Sequence, residues 1–274
     1  MMEAVPRARP AASERDTLSI PLQVAGALLF VLLIPIAFGM RWENFQPLLQ
    51  PSALRFLSIG VLVTLIVALV AIGLSLPLAT ALALGRLAKY ALIRWPCIGF
   101  IEVVRSLPLL LLIFYVNLRI PGLGLFEGLN TGAGYLSLVL TPILARAGLA
   151  VTLALTIYTA AVNAELLRAG ILSLERGQYE AARSLGLSYW QAMRLVILPQ
   201  AFRLIVAPLI AQFTILLKDT SLGAIIGFIE LQRRAQILYQ RDFNPMEALF
   251  LVALIYFVLN YLLGLSSRVV ERRR

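Results

Sequence analysis

Apolar residues in this chain fall in long blocks separated by short polar links, and the blocks are too uniform to be single faces of soluble helices. Six blocks are long enough to cross a bilayer as helices: 18–38, 56–84, 98–118, 148–167, 201–228 and 246–265. Residues 1–17 before them are polar, proline-containing and basic, and are expected to be disordered. No small-residue cleavage site follows the first block, so it reads as a retained helix rather than a signal peptide. Pro77 is expected to kink the second block, and Pro208 lies inside the fifth. Residues 119–145 mix glycine, proline and apolar positions and read as an extracytoplasmic loop dipping toward the interface. Residues 230–244 read as a polar loop. The expectation is an all-α integral membrane protein with about six transmembrane helices and no internal repeat.

One stretch breaks the pattern. Residues 178–199 have no membrane-like core and read as two short helices meeting at a corner. Gly177 is expected to cap the first, placing Glu180 in its first turn, where a carboxylate suits the helix dipole. Gly186 supplies the left-handed residue that ends it, Ser188 and Gln191 have capping-box spacing, and Pro199 is expected to close the second helix. Ala181, Ala182 and Gly186 leave one side nearly bare, open to close approach by another protein's backbone. By itself this is a docking elbow, or an ordinary helical loop.

Composition narrows the class. Apolar residues make up 60% of the 274 positions and charged residues 14%, which fits an integral membrane protein. With one cysteine, Cys97, and no histidine, the chain offers no internal disulfide, no zinc or other metal site and no histidine acid–base chemistry. The net charge of +10 is spread between apolar blocks, so it points to membrane loops and not to nucleic acid. With both ends and the elbow inside the cell, 15 basic residues lie inside against 7 outside, and Arg233, Arg234 and Arg241 are the discordant cluster. No phosphate-binding G-x-x-x-x-G-K-[S/T] occurs, so this chain does not itself hydrolyse ATP, and no cofactor is implied.

Glu180-Ala181-Ala182, then Gly186, then Val196-Ile197-Leu198-Pro199 resembles the E-A-A loop of permease subunits in bacterial ABC importers, with Val196 where the family usually has Ile. Three further blocks resemble the polar amino-acid branch, the histidine-, glutamine- and glutamate-type permeases, in order: the segment from Glu102 through Arg105 to Pro108, that from Tyr158 through Asn163 to Glu165, and that from Leu217 through Lys218, Asp219 and Ser221 to Leu222. The resemblance implies a basic division into a cytoplasmic tail (1–17), an extra N-terminal helix (18–40), a five-helix permease core (54–268) with a coupling elbow (170–200), and a basic tail (269–274). It implies ATPase coupling through Glu180, Ala181, Ala182 and Gly186. The implied partners are two copies of an ATP-binding subunit, a second permease, identical or a sister chain, and an extracytoplasmic amino-acid-binding protein. The implied location is the bacterial inner membrane.

Charges at membrane depth need partners or water, so the polar residues inside the blocks are the substrate-path candidates: Glu102, Arg105, Asn163, Glu165, Lys218, Asp219 and Ser221. Glu102 and Arg105 are three apart, share a helix face and are able to pair with each other. Pro108 just beyond is placed to break the helix. Glu165 is equally explained by snorkelling to the interface near Arg168. Adjacent Lys218 and Asp219 point in different directions, and a helix-end interface role competes with the path. An ATP-independent secondary transporter or channel for small polar solutes also accounts for the buried charges but leaves the elbow without a purpose. A membrane scaffold would use neither.

Overall fold

The computed structural model describes Gly26, Leu29 and residues 33–120 and 135–272, the last seven as backbone only. The tail at 1–17 and most of the block at 18–38 lie outside the described residues, as do residues 121–134 and the last two. Residues 33–37 are helical. The described chain is helical with no strand: α1 (Pro51–Arg86), α2 (Ala91–Ser106), α3 (Leu109–Arg119), α4 (Tyr135–Leu144), α5 (Arg146–Leu172), α6 (Arg176–Ser184), α7 (Tyr189–Ile226), α8 (Leu231–Asp242) and α9 (Pro245–Arg272). Among these residues four helices, α1, α5, α7 and α9, are long and apolar enough to cross a membrane, and five if the bent pair α2–α3 counts as one span.

Small residues put α1 and α5 at the centre. Ala68, Ala71 and Ala83 on α1, and Ala154, Ala160, Ala161 and Ala164 on α5, are fully buried, because side chains of this size let two helix backbones approach. Around that seam pack Val63, Val67, Ile113, Leu155, Leu216, Leu217 and Phe228. The most apolar window of α5 is 67% buried by the chain itself and that of α9 only 11%, so α9 lies on the outside with its apolar surface free for lipid.

Four expectations change. The block at 98–118 is not one straight helix. Pro108 lacks an N–H, and Leu107 before it sits in the extended region (φ −80°, ψ 136°), so α2 and α3 meet at 107°. Pro199 does not end a helix. The backbone makes a π-helical turn at Met193–Ile197 with Leu198 N–H bonding the Met193 carbonyl, and α7 runs on for 38 residues. Part of 119–145 is the helix α4. The polar loop at 230–244 is the helix α8, capped by the Glu230 side chain and buried along Leu231, Ala235 and Leu238.

Candidate functional site

The elbow is built by local rules. Leu187 N–H bonds the Ala182 carbonyl at 3.3 Å and Gly186 N–H the Arg183 carbonyl at 2.9 Å, the paired closure of a helix C-terminus that needs a left-handed residue. Gly186 has φ +80°. Two residues on, Ser188 Oγ accepts from Gln191 N–H at 3.4 Å and Gln191 Oε1 accepts from Ser188 N–H at 2.8 Å, so the expected capping box forms. The other end differs from expectation: Glu175, not Gly177, is the N-cap of α6, which moves Glu180 out of the first turn. Glu180, Ala181 and Gly186 are exposed, whereas Ala182 turns into the chain and is 3% exposed, so the bare side is narrower than the sequence implied. A cleft of about 420 Å³ separates the elbow from the end of α5, with Leu174, Tyr179, Glu180, Met193 and Ile197 on its walls.

Above the elbow, four charges meet where α1, α2 and α5 end or begin. Arg86 Nη1 lies 3.1 Å from Glu102 Oε1 and 2.8 Å from Glu165 Oε1, and Arg168 Nη2 is 3.0 Å from Glu165 Oε2. The Glu102–Arg105 pair is therefore not formed: Glu102 reaches across to Arg86, and exposed Arg105 has no ion-pair partner among the described residues. Arg86 reads from the sequence only as a loop charge; its place two residues past the end of an apolar block was the available signal.

The remaining path candidates separate. Asn163 is 1% exposed and donates from Nδ2 to Ser75 Oγ at 3.3 Å, which makes it part of the α1–α5 seam. Lys218 and Ser221 instead border a groove of about 430 Å³ between α7 and α9, together with Tyr256 and Asn260. Ser221 Oγ donates to the Lys218 carbonyl at 2.7 Å, which holds its oxygen beside that groove. Asp219 is half-buried on the adjacent face.

At the opposite end a second polar cluster is built around two buried charges, Glu230 and Arg234. The Glu230 carboxylate accepts from Gln232 N–H and Arg233 N–H at 2.8 Å each and from Tyr256 Oη at 3.1 Å. Burial pushes its pKa up to about 7, against these hydrogen bonds, which pull it down. Arg234 lies with its guanidinium 4.5 Å from the centre of the Phe56 ring, beneath Gly60 of α1, where any Cβ would meet the Leu231 backbone and Arg234 side chain at 2.8 Å. Arg241 pairs with neighbouring Asp242 at 2.7 Å. Glu230 and Arg234 were missed as structural residues because a polar run between apolar blocks reads as a loop. The Leu231, Ala235, Leu238 spacing was the helical signal.

A family model described as the binding-protein-dependent transport system inner membrane component matches residues 73–274. The chain belongs to this family. The permease is 38% identical over 224 residues to the probable glutamine ABC transporter permease protein GlnP of Bacillus subtilis strain 168, covering 81% of this chain and 94% of that protein. It is 32% identical over 236 residues to the glutamate/aspartate import permease protein GltK of Escherichia coli O157:H7, covering 86% and 99%. Its fold is similar to a crystal structure of an amino acid ABC transporter with histidines, at TM-score 0.65 and 31% identity over 81% of this chain and 95% of that one. The permease is a multi-pass inner membrane protein, and its place in a binding-protein-dependent transport system makes it a transport subunit and not a catalyst. Family membership lends no support to the ATP-independent alternative.

Proposed function

We propose that this permease forms the translocation path of an ATP-driven importer of amino acids, polar or charged ones, and works with ATP-binding subunits on separate chains. The observation that carries the reading is the near full-length similarity to permeases named for glutamine and for glutamate and aspartate. The assembly it calls for has two ATP-binding subunits, two permeases, identical or sister chains, and an extracytoplasmic amino-acid-binding protein. Glu180, Ala181, Ala182 and Gly186 are assigned to ATPase coupling: the exposed corner with its adjoining cleft is the shape a partner helix end or loop would grip. Lys218 and Ser221 become the leading path residues, since their groove presents a cation and a hydroxyl beside apolar walls and suits a carboxylate. Glu102, Arg105, Glu165 and Asn163 are assigned to positioning helices, and Asp219 to the flank of the groove.

The orientation proposed has the elbow and both termini in the cytoplasm. Support comes from the discordant arginines outside: Arg234 is buried as structure and Arg241 is paired, so neither behaves as a free loop charge. The test is to tag the permease, purify it from the membrane with whatever accompanies it, and measure labelled amino-acid uptake in vesicles. An accompanying ATP-binding subunit and uptake that requires ATP and the binding protein are expected. Uptake at full rate without ATP would overturn the reading.

A further inference from the structure

The four-charge cluster has a fifth, unused charge within reach. Arg86 Nη1 serves both Glu102 and Glu165, but Glu165 has a second basic partner in Arg168. Glu102 also has a second basic residue within reach of its own helix face, Arg105 at i+3, which here has no ion-pair partner among the described residues. Two complete pairings therefore exist. In the one seen, Arg86 bridges α1, α2 and α5. In the other, Glu102 pairs with Arg105, and Arg86 keeps Glu165 with Arg168. Only exposed Arg105 is left unpaired in the first, and no carboxylate is stranded in either.

The element these pairings would release is poorly anchored. Of its 16 residues α2 buries only Ile101 and Val104, while α5 alone buries 14. α2 ends at the 107° break, where Leu107 is extended and Pro108 contributes no N–H, the kind of joint that absorbs a rotation without breaking a helix. At its other end it crosses α1 at Gly85, where the Cys97 side chain lies too close for any Cβ. That fit places α2 against α1 without chemical bonding beyond Arg86.

We propose that Arg86 is a positioning residue that holds α2 as an arm on the Leu107–Pro108 joint, and that exchange of Glu102 from Arg86 to Arg105 lets this arm swing between two states of the permease. The proposal rests on the transporter reading for its purpose, but the arm's position is a property of the chain itself. Spin labels at Tyr90 and Leu172, both exposed, report α2 against α5 in a Cys97→Ala background. A second pair at Leu118 and Leu153 reports α3, beyond the joint, against α5.

The purified permease with its accompanying subunits is measured in lipid vesicles, first without nucleotide. Two Tyr90–Leu172 distances are expected, with the shorter or longer one enriched at least fivefold in Arg86→Gln and the opposite one in Arg105→Gln, while Arg86→Lys matches the unsubstituted chain. The α3 distance stays constant in all of them, which also shows that the variants are folded. In Arg86→Gln/Glu102→Gln the starting distance is not restored, because both halves of the bridge to α1 are gone. A single unchanged distance in Arg86→Gln, or a double variant that returns to the starting distance, overturns the proposal. Absence of an ATP-binding subunit from the preparation bears on the transporter reading alone, since the nucleotide-free distances are read either way.

Discussion

The two ends of the helix bundle both carry charged clusters, and they are built in opposite ways. At the far end Glu230 and Arg234 are 0% and 4% exposed, and their polar contacts tie together four elements, α1, α4, α8 and α9. At the elbow end Glu102 is 54% exposed and Arg86 21%, and each charge has an alternative partner. Burial converts a charge into a fixture, because leaving it unpaired in a dry site costs far more than the pair gains. Partial exposure makes pairs cheap to exchange, since surface ion pairs contribute about 1 kcal/mol or less. A transporter needs both, a brace on one side and a movable set of contacts on the other.

The largest effect expected from this contrast is Glu230→Ala. It removes the cap of α8 and leaves two N–H groups and the Tyr256 hydroxyl without their acceptor in a buried site, together worth about 3 kcal/mol or more. For a chain of this size the midpoint of thermal unfolding should fall by roughly 10 °C. Glu102→Ala, removing a half-exposed carboxylate, should move it by about 2 °C or less. Equal losses in the two variants would erase the distinction between brace and movable cluster.

The brace should also respond to pH. The Glu230 carboxyl is pushed up to about 7, above its ordinary 4.5, so the folded chain holds that proton more tightly than the unfolded one. The associated stability is complete below about pH 4.5 and is lost as pH rises through about 7. The guanidinium of Arg234 beside it keeps its charge over that range, although burial lowers its pKa from the ordinary arginine value. Unfolding temperatures measured from pH 5 to pH 8 should decline in the unsubstituted permease, and the decline should flatten in Glu230→Gln. A midpoint that climbs with pH, or an unchanged slope in Glu230→Gln, would mean that another group carries the effect.

How much of this was legible in the sequence depends on the range of the interaction. The apolar blocks were readable because the bilayer fixes a span's length, and four of the six reappear as α1, α5, α7 and α9 with ends shifted by several residues. The Gly186 turn and the Ser188–Gln191 box were readable because each is closed by residues within a few positions. The bend at Pro108 was half readable: proline announces a break, but an angle of 107° is set by what the two halves pack against. Partners distant in sequence were not readable at all. Nothing local in Arg86 points to Glu102 and Glu165 rather than to water, and the adjacent Arg105 was the natural but incorrect partner for Glu102. α8 was hidden by its own surface: Gln232, Arg233, Gln236 and Arg241 dominate the composition, while the stripe that buries it is three residues wide.

At the elbow, rigidity within the corner should matter more than its attachment. Gly186 has open space around it, so a side chain there meets no clash; the cost comes from φ +80° alone, about 1–2 kcal/mol for a β-branched residue. Gly186→Val should therefore leave the permease in the membrane at normal levels while redirecting α7 relative to α6, and ATP-dependent uptake should drop at least tenfold. Uptake at the original rate would remove the corner's angle from the coupling mechanism.

The smallest effect expected is Ser188→Ala. The capping box satisfies one N–H at each end of the pair, and its loss costs about 1 kcal/mol in a helix start that is otherwise free. Here the start is not free. Tyr189 packs edge-on against Tyr179 at 6.2 Å and against Trp190 at 5.5 Å, and Arg183 Nη1 donates to the Leu187 carbonyl at 2.9 Å across the corner. These contacts keep the first turn of α7 in place when the serine oxygen is removed, so the loss is confined to fraying around Ser188. Amide hydrogen exchange over residues 188–192 should quicken by up to about tenfold, the equivalent of 1.4 kcal/mol, with uptake reduced less than threefold. The comparison with Gly186→Val is the informative quantity: the two changes differ little in stability but act on different things, one on the angle of the corner and the other on the firmness of one helix end. If Ser188→Ala abolished uptake as fully as Gly186→Val, coupling would depend on the stiffness of the first turn of α7, and the corner geometry would be only one way of supplying it.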